Sequence, residues 1–174
     1  IKADDSGISF VGYASGFDRQ GAADPKKQEE AVSLAKQADT VLLCLGLDEL
    51  RESEGLDRAD MALAENQQQL MDAVAAVNPN VVVLLSAGAP VETPWVGRCK
   101  ALVYGALGGQ AGAGAAADIL TGKLCPCGKL SQTWAKAHDD TPAKANFGGE
   151  GRNVEYREGL YVGYRYYQTA DVPV

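Results

Sequence analysis

The sequence predicts an α/β protein: a three-layer α/β/α sandwich with a mostly parallel sheet and an irregular, tyrosine-rich C-terminal tail. Three observations lead there. Two uninterrupted apolar runs, residues 41–45 and 81–85, have the composition of strands covered on both faces. Segments with apolar residues recurring at helical spacing lie between and beside them. The resulting order, strand, helix, strand, helix, strand, strand, helix, favours parallel strands joined by crossovers.

Taken in order, residues 8–14 alternate loosely and run into Ser15-Gly16, which predicts a short strand followed by a loop. Asp24 then Pro25 reads as a helix N-cap with proline at the first helical position. The helix it opens carries Ala31, Leu34, Ala35 and Ala38 on one face. The next strand is Val41-Leu42-Leu43-Cys44-Leu45. After a charged loop, residues 66–77 put Leu70, Ala73, Val74 and Val77 on one helical face, with Gln67, Gln68 and Asp72 outside. Asn78-Pro79-Asn80 ends that helix. Residues 81–85 form the second apolar strand, closed by Gly88 and Pro90, and residues 101–104 a third after a connection holding Trp95. Residues 108–120 read as a glycine- and alanine-rich helix whose glycines allow close packing on the sheet. Beyond Gly122 the periodicity dissolves, and residues 156–167, with five tyrosines, read as an aromatic strand at a sheet edge or docking surface.

A chain of 174 residues fits one domain, and 46% apolar with 22% charged residues is a globular balance. A net charge of −7 excludes a phosphate-neutralising surface, so neither nucleic acid nor an anionic membrane is an expected partner. No apolar run reaches the roughly 18 residues of a spanning helix. Because the sequence opens at Ile1 with no secretory signal, both ends are expected to be cuts from a longer protein. The cysteines are Cys44, Cys99, Cys125 and Cys127; a C-x-C pair with the one histidine, His138, eleven positions on lacks zinc-site spacing, so no metal or cofactor is expected. Incidental thiols fit a reducing compartment, which leans the location towards the cytoplasm.

The segment that invites chemistry is the loop after the first apolar strand. Residues 48–60 hold six carboxylates, Asp48, Glu49, Glu52, Glu54, Asp57 and Asp60, against two arginines, Arg51 and Arg58. Loops at strand ends are where α/β proteins place function. General acid catalysis needs a carboxyl that neighbouring carboxylates or burial can keep protonated. Glu54 lies between Glu52 and Asp57, and Gly55 lets the backbone turn so that the side chain projects. The plainer alternative is a solvated acidic loop. The glycines at 105–114 lack phosphate-loop spacing. His138 beside Asp139 lacks any nucleophile elbow to serve.

The chain resembles the second, α/β-sandwich domain of family-three glycoside hydrolases, the β-glucosidase and β-xylosidase group. The resemblance rests on Glu52-Ser53-Glu54-Gly55-Leu56-Asp57-Arg58, Asn66-Gln67, Asn78-Pro79-Asn80 before the apolar run at 81–85, and Ser86-Ala87-Gly88 with Pro90-Val91. Trp95, Gly108-Gly109-Gln110, Ala117-Asp118-Ile119-Leu120, Gly128-Lys129-Leu130 and the segment from Tyr156 to Tyr167 continue it in order along nearly the whole chain.

This resemblance implies that residues 1–174 are a single C-terminal-type domain excised from a larger enzyme. In that family a TIM barrel of the same polypeptide supplies an aspartate nucleophile and most of the sugar pocket. The sandwich domain supplies an acid/base glutamate, and the matching position is Glu54, with Glu52 the fallback. Asp57 and Arg58 match the rest of the motif, and a charged pair between them is expected to support the loop. The implied substrate is a β-linked oligosaccharide or glycoside, hydrolysed by the intact parent and not by the fragment. Two departures stand out. Cys125-Pro126-Cys127-Gly128 replaces the usual Asn-Pro-Ser-Gly, and the chain stops before the turn that usually leads to a fibronectin-type domain. The alternative class is a flavodoxin-like module that binds a small ligand or partner, and a sticky tyrosine face makes self-association an expectation.

Overall fold

The structure is a computed structural model and describes residues 7–174. The chain divides into two compact units. One runs to Arg58 and includes Leu63–Ala89 and Trp95–Cys127; the other comprises Ala59–Ala62, Pro90–Pro94 and Gly128–Val174.

The first unit is built on a sheet of three parallel strands, β1 (Val41–Gly46), β2 (Val81–Ser86) and β3 (Ala101–Tyr104), in that spatial order. Val41 pairs with Val81 and Gly46 with Ser86, while Val82 pairs with Ala101 and Leu85 with Tyr104. Helix α1 (Pro25–Ala35) precedes β1, α2 (Glu65–Ala75) joins β1 to β2, and the two helices pack against each other. Helix α3 (Gly112–Leu120) follows β3. The predicted α/β sandwich with a parallel sheet is therefore the architecture observed.

Local chemistry explains the helix ends. Asp24 caps α1 by accepting from the amides of Lys26 (3.0 Å) and Lys27 (3.3 Å), with Pro25 in the first helical position. Buried Asn78 donates to the carbonyls of Ala35 (2.9 Å) and Ala38 (2.7 Å) and accepts from the Asn80 amide (2.8 Å). That single side chain ties the end of α1 to the entry of β2. The core behind it is Leu43, Leu45, Val83, Leu85, Leu70, Met71, Val74 and Trp95, all buried.

Four expectations need correcting. Residues 7–16 form no strand: a Cβ on Gly12 would stand 2.9 Å from the Leu34 side chain, and one on Gly16 2.6 Å from Leu70. The segment is thus laid across the side chains of α1 and α2, and it pairs with no strand of the sheet. Strand β1 is covered on one face only, since Leu42 (38% accessible) and Cys44 point away from the core. Close packing explains some of the glycines in the 105–114 run and not others. A Cβ on Gly105 would meet Leu84 at 3.3 Å and one on Gly108 would meet Gly112 at 2.8 Å, whereas Gly112 and Gly114 have open space.

In the second unit no strand forms over residues 156–163: residues 157–160 are a turn, and helix α4 (Tyr164–Ala170) follows. Gly159 and Gly163 both have φ of 58°, which interrupts any extended run. Within this unit the Glu92 amide donates to the Met61 carbonyl (2.8 Å), and the Glu92 carboxylate accepts from the His138 amide (2.8 Å). Tyr167 is buried and meets the Tyr166 ring edge-on at 5.2 Å, whereas Tyr156 is 88% accessible.

Candidate active site

The carboxyl edge of the parallel sheet is where strand ends release chain into loops, and the acidic segment leaves from there directly after β1. Its root is fixed twice. The Leu47 amide donates to the Ser86 carbonyl (3.1 Å), continuing the β1–β2 ladder by one residue. The buried Gln67 side chain of α2 bonds Gly46 at both backbone groups, accepting from its amide (2.9 Å) and donating to its carbonyl (2.8 Å). This reverses the outward placement expected for Gln67. Its amide oxygen and nitrogen each meet one backbone group of the same residue, so both are hydrogen-bonded where they are buried.

Beyond the root, Asp48 organises the first turn. Its Oδ1 accepts from the amides of Leu50 (2.9 Å) and Arg51 (3.0 Å), and its carbonyl accepts from those of Arg51 (3.1 Å) and Glu52 (3.0 Å). Glu49 pairs with Arg19 and accepts from Gln20 (3.1 Å). The half-buried Glu52 turns inward, and its Oε1 accepts from the Gly88 amide at 2.7 Å, just past the end of β2. The neighbouring Ala87 carbonyl accepts from the Tyr104 hydroxyl (2.7 Å).

Glu54 lies two residues past this anchor, in a turn closed by the Leu56 amide on the Ser53 carbonyl (3.3 Å), with Gly55 at φ 79°. Glu54 is exposed, and among the described residues its carboxylate has no hydrogen bond or ion pair. Leu50 (65% accessible) and Leu56 (68%) are exposed on the same loop. Asp57 is exposed, and no hydrogen bond or ion pair to its carboxylate is present among the described residues; Arg58 is half-buried. The expected Asp57–Arg58 pair is therefore not formed, while Asp48, Glu49 and Glu52 each tie the loop down.

The arrangement brings Glu52 and Glu54 into one tied loop and leaves Glu54 as a projecting carboxyl. It can donate or accept a proton at whatever is presented to it. Three participants were not legible as such in the sequence: Gln67, Gly88 and Tyr104. Only the matches at Asn66-Gln67 and Ser86-Ala87-Gly88 pointed to two of them. Two concavities lie elsewhere. One of about 650 Å³ sits by the amino ends of β2 and β3 around Pro79, Cys99 and Lys100, where Arg98 pairs with Asp72. The other, about 290 Å³, lies within the second unit beside Tyr161, Tyr166, Arg157 and Glu158. His138 belongs to that unit, its Nδ1 3.2 Å from the Lys144 ammonium, with no nucleophile arranged on it among the described residues. No helix among the described residues is long and apolar enough to cross a membrane.

Comparison with known proteins places this geometry in a family. Residues 6–164 match the model of the glycosyl hydrolase family 3 C-terminal domain. The chain is 42% identical over 172 residues to thermostable beta-glucosidase B of Acetivibrio thermocellus, covering 98% of this chain and 23% of that protein. It is 45% identical over 148 residues to an exo-alpha-(1->6)-L-arabinopyranosidase of Bifidobacterium breve, covering 84% of this chain and 20% of the relative. Among solved structures, a GH3 beta-glucosidase of Bifidobacterium adolescentis superposes with a TM-score of 0.90 at 47% identity, covering 92% of this chain and 24% of that one. The beta-glucosidase of Kluyveromyces marxianus in complex with glucose gives 0.83 at 39%, covering 89% of this chain and 19% of that one. The chain thus spans about a fifth to a quarter of the length of these relatives. On this match over nearly its whole length, the chain belongs to the glycosyl hydrolase family 3 C-terminal domain family.

Proposed function

We propose that this chain is the acid/base-bearing domain of a glycoside hydrolase that removes terminal β-linked sugars with retention of configuration. The observation that carries the reading is the state of Glu54: a solvent-facing carboxyl, unpartnered among the described residues, held on a tied loop at the carboxyl edge of a parallel sheet. Retaining hydrolysis needs two carboxyl groups about 5–5.5 Å apart, one attacking the anomeric carbon and one serving as acid, then base. Glu54 is the second. It gives its proton to the departing glycosidic oxygen, and as carboxylate it then takes a proton from the water that releases the sugar. The attacking aspartate comes from a TIM-barrel domain of the same polypeptide. Exposed Leu50 and Leu56 of the same loop offer that neighbour apolar contact, and Asp57 and Arg58 complete the loop motif.

The test is Glu54→Gln in the full-length polypeptide carrying this domain. Loss of the acid slows glycosides with poor leaving groups, such as alkyl glucosides, by about 100-fold or more, and activated aryl glucosides far less. Equal losses on both substrate types would remove the acid role from Glu54. The isolated chain should not turn over an aryl β-glucoside, because half of the catalytic pair lies outside it. Turnover by the chain alone, abolished by Glu54→Gln, would overturn the division of labour.

A second reading, a non-catalytic flavodoxin-like binding module, draws on the tyrosine-flanked cavity of the second unit. Saturable binding of a sugar or nucleotide by the isolated chain, unaffected by Glu54→Gln, would favour it.

A further inference from the structure

We propose that Glu52 is a positioning residue: its carboxylate, fastened to the Gly88 amide, sets where Glu54 presents its proton. This rests on the acid/base reading of Glu54 and assigns Glu52 a part that its sequence position alone does not. As the second carboxyl of the loop, Glu52 could serve as the acid itself. The geometry points away from that. Its Oε1 is engaged at 2.7 Å with a backbone donor 36 residues away in sequence. That donor follows β2, whose register with β1 is fixed from Val41 to Gly46. The loop is thus attached just past the end of the central strand of the sheet.

The attachment is tight on both sides. A Cβ at Gly88 would lie 3.1 Å from Glu52 Oε1 and 3.0 Å from the Leu107 side chain, so an alanine there would push on the carboxylate where it meets the amide. Two residues of chain span at most about 7 Å, so the anchor confines the Glu54 backbone to a small volume over the edge of the sheet. Proton transfer to a leaving oxygen requires hydrogen-bond reach, and a displacement of about 1 Å can lower the rate about 100-fold.

The experiment compares Glu52→Ala, Glu52→Gln and Gly88→Ala in the full-length enzyme, with Glu54→Gln as reference. Glutamine keeps an acceptor oxygen for the Gly88 amide but cannot donate a carboxylic proton. Glu52→Ala should lower kcat/KM on alkyl glycosides about 10- to 100-fold and on activated aryl glycosides only a few-fold. Glu52→Gln should recover most of that loss. Gly88→Ala, which disturbs the contact without touching a carboxylate, should share the alanine variant's leaving-group signature, which a general loss of folded protein would not produce. Hydrogen exchange read by mass spectrometry should quicken over residues 48–58 in Glu52→Ala and not in Glu52→Gln. If Glu52→Gln is as damaging as Glu52→Ala, Glu52 acts through its proton or charge and the proposal is wrong. It is equally wrong if Glu52→Ala leaves both substrate types unaffected while Glu54→Gln is selective. Absence of selectivity in Glu54→Gln itself would instead remove the acid/base reading beneath it, and the exchange data would still report on the anchor.

Discussion

Gln67 and Gly46, 21 residues apart, form a reciprocal pair in which one side-chain amide satisfies both backbone groups of the last residue of β1 (2.9 and 2.8 Å). The glycine is required for a separate reason: a Cβ there would stand 2.2 Å from the Ser86 carbonyl oxygen. Replacing Gln67 by leucine keeps most of the volume and strands a donor and an acceptor. The expected loss is about 2–4 kcal/mol, read as a lower urea midpoint for the chain. A loss below about 0.5 kcal/mol would mean that water reaches Gly46 and the pair is dispensable.

Asn78 makes three hydrogen bonds from a buried position, whereas Asp24 makes its two at an exposed helix start. Asn78→Ala should therefore destabilise by about 2–3 kcal/mol and Asp24→Ala by about 1 kcal/mol. Chemical denaturation of the two variants side by side decides the order, and a larger effect at Asp24 would contradict it.

The phenol of Tyr167 is pushed above its ordinary range by burial first, and then by Tyr166, Asp140 and Glu158. The fold thus favours its protonated form. Stability from this group is complete below the unfolded phenol's pKa and is lost as pH rises through the folded one. From about pH 10 upward the denaturation midpoint should fall more steeply in the native sequence than in Tyr167→Phe. Parallel curves would show that Tyr167 titrates as it does in the unfolded chain.

Cys44 lies on the open face of β1, yet its apolar surroundings push the thiol up by desolvation. The nucleophile in alkylation is the thiolate. At about pH 8 iodoacetamide should modify Cys44 several-fold more slowly in the folded chain than in urea, resolved by peptide mass spectrometry. Equal rates would place the thiol in water.

Apolar side chains left open on the chain, among them Leu42, Leu50, Leu56 and Tyr156, make self-association of the isolated domain a measurable expectation. Light scattering at two concentrations should give a mass that rises with concentration. A constant monomer mass would show that these side chains do not hold copies together.

Much of the architecture was readable in advance because its causes are local. The proline-initiated cap at Asp24, the periodicity of residues 66–77 and the two apolar runs each act within a few residues, and α1, α2, β1 and β2 form where those patterns stand. The acidic loop and its glutamates were also legible, since density of charge and a motif need no neighbours to be seen. Two segments misled for the opposite reason. Residues 8–14 look strand-like until Gly12 and Gly16 meet Leu34 and Leu70, and the tyrosines of residues 156–167 look extended until Gly159 and Gly163 turn the backbone.

The sequence by itself determined α1 to α3 and the three strands of the sheet, and it singled out the carboxyls of the acidic loop, because propensity, capping and periodicity are short-range properties of the chain. Only the tertiary structure decided that Gln67 faces inward and that Glu52 is tethered. Those outcomes depend on backbone groups 21 and 36 residues away. They reach these side chains only once β1 and β2 lie parallel in a single register.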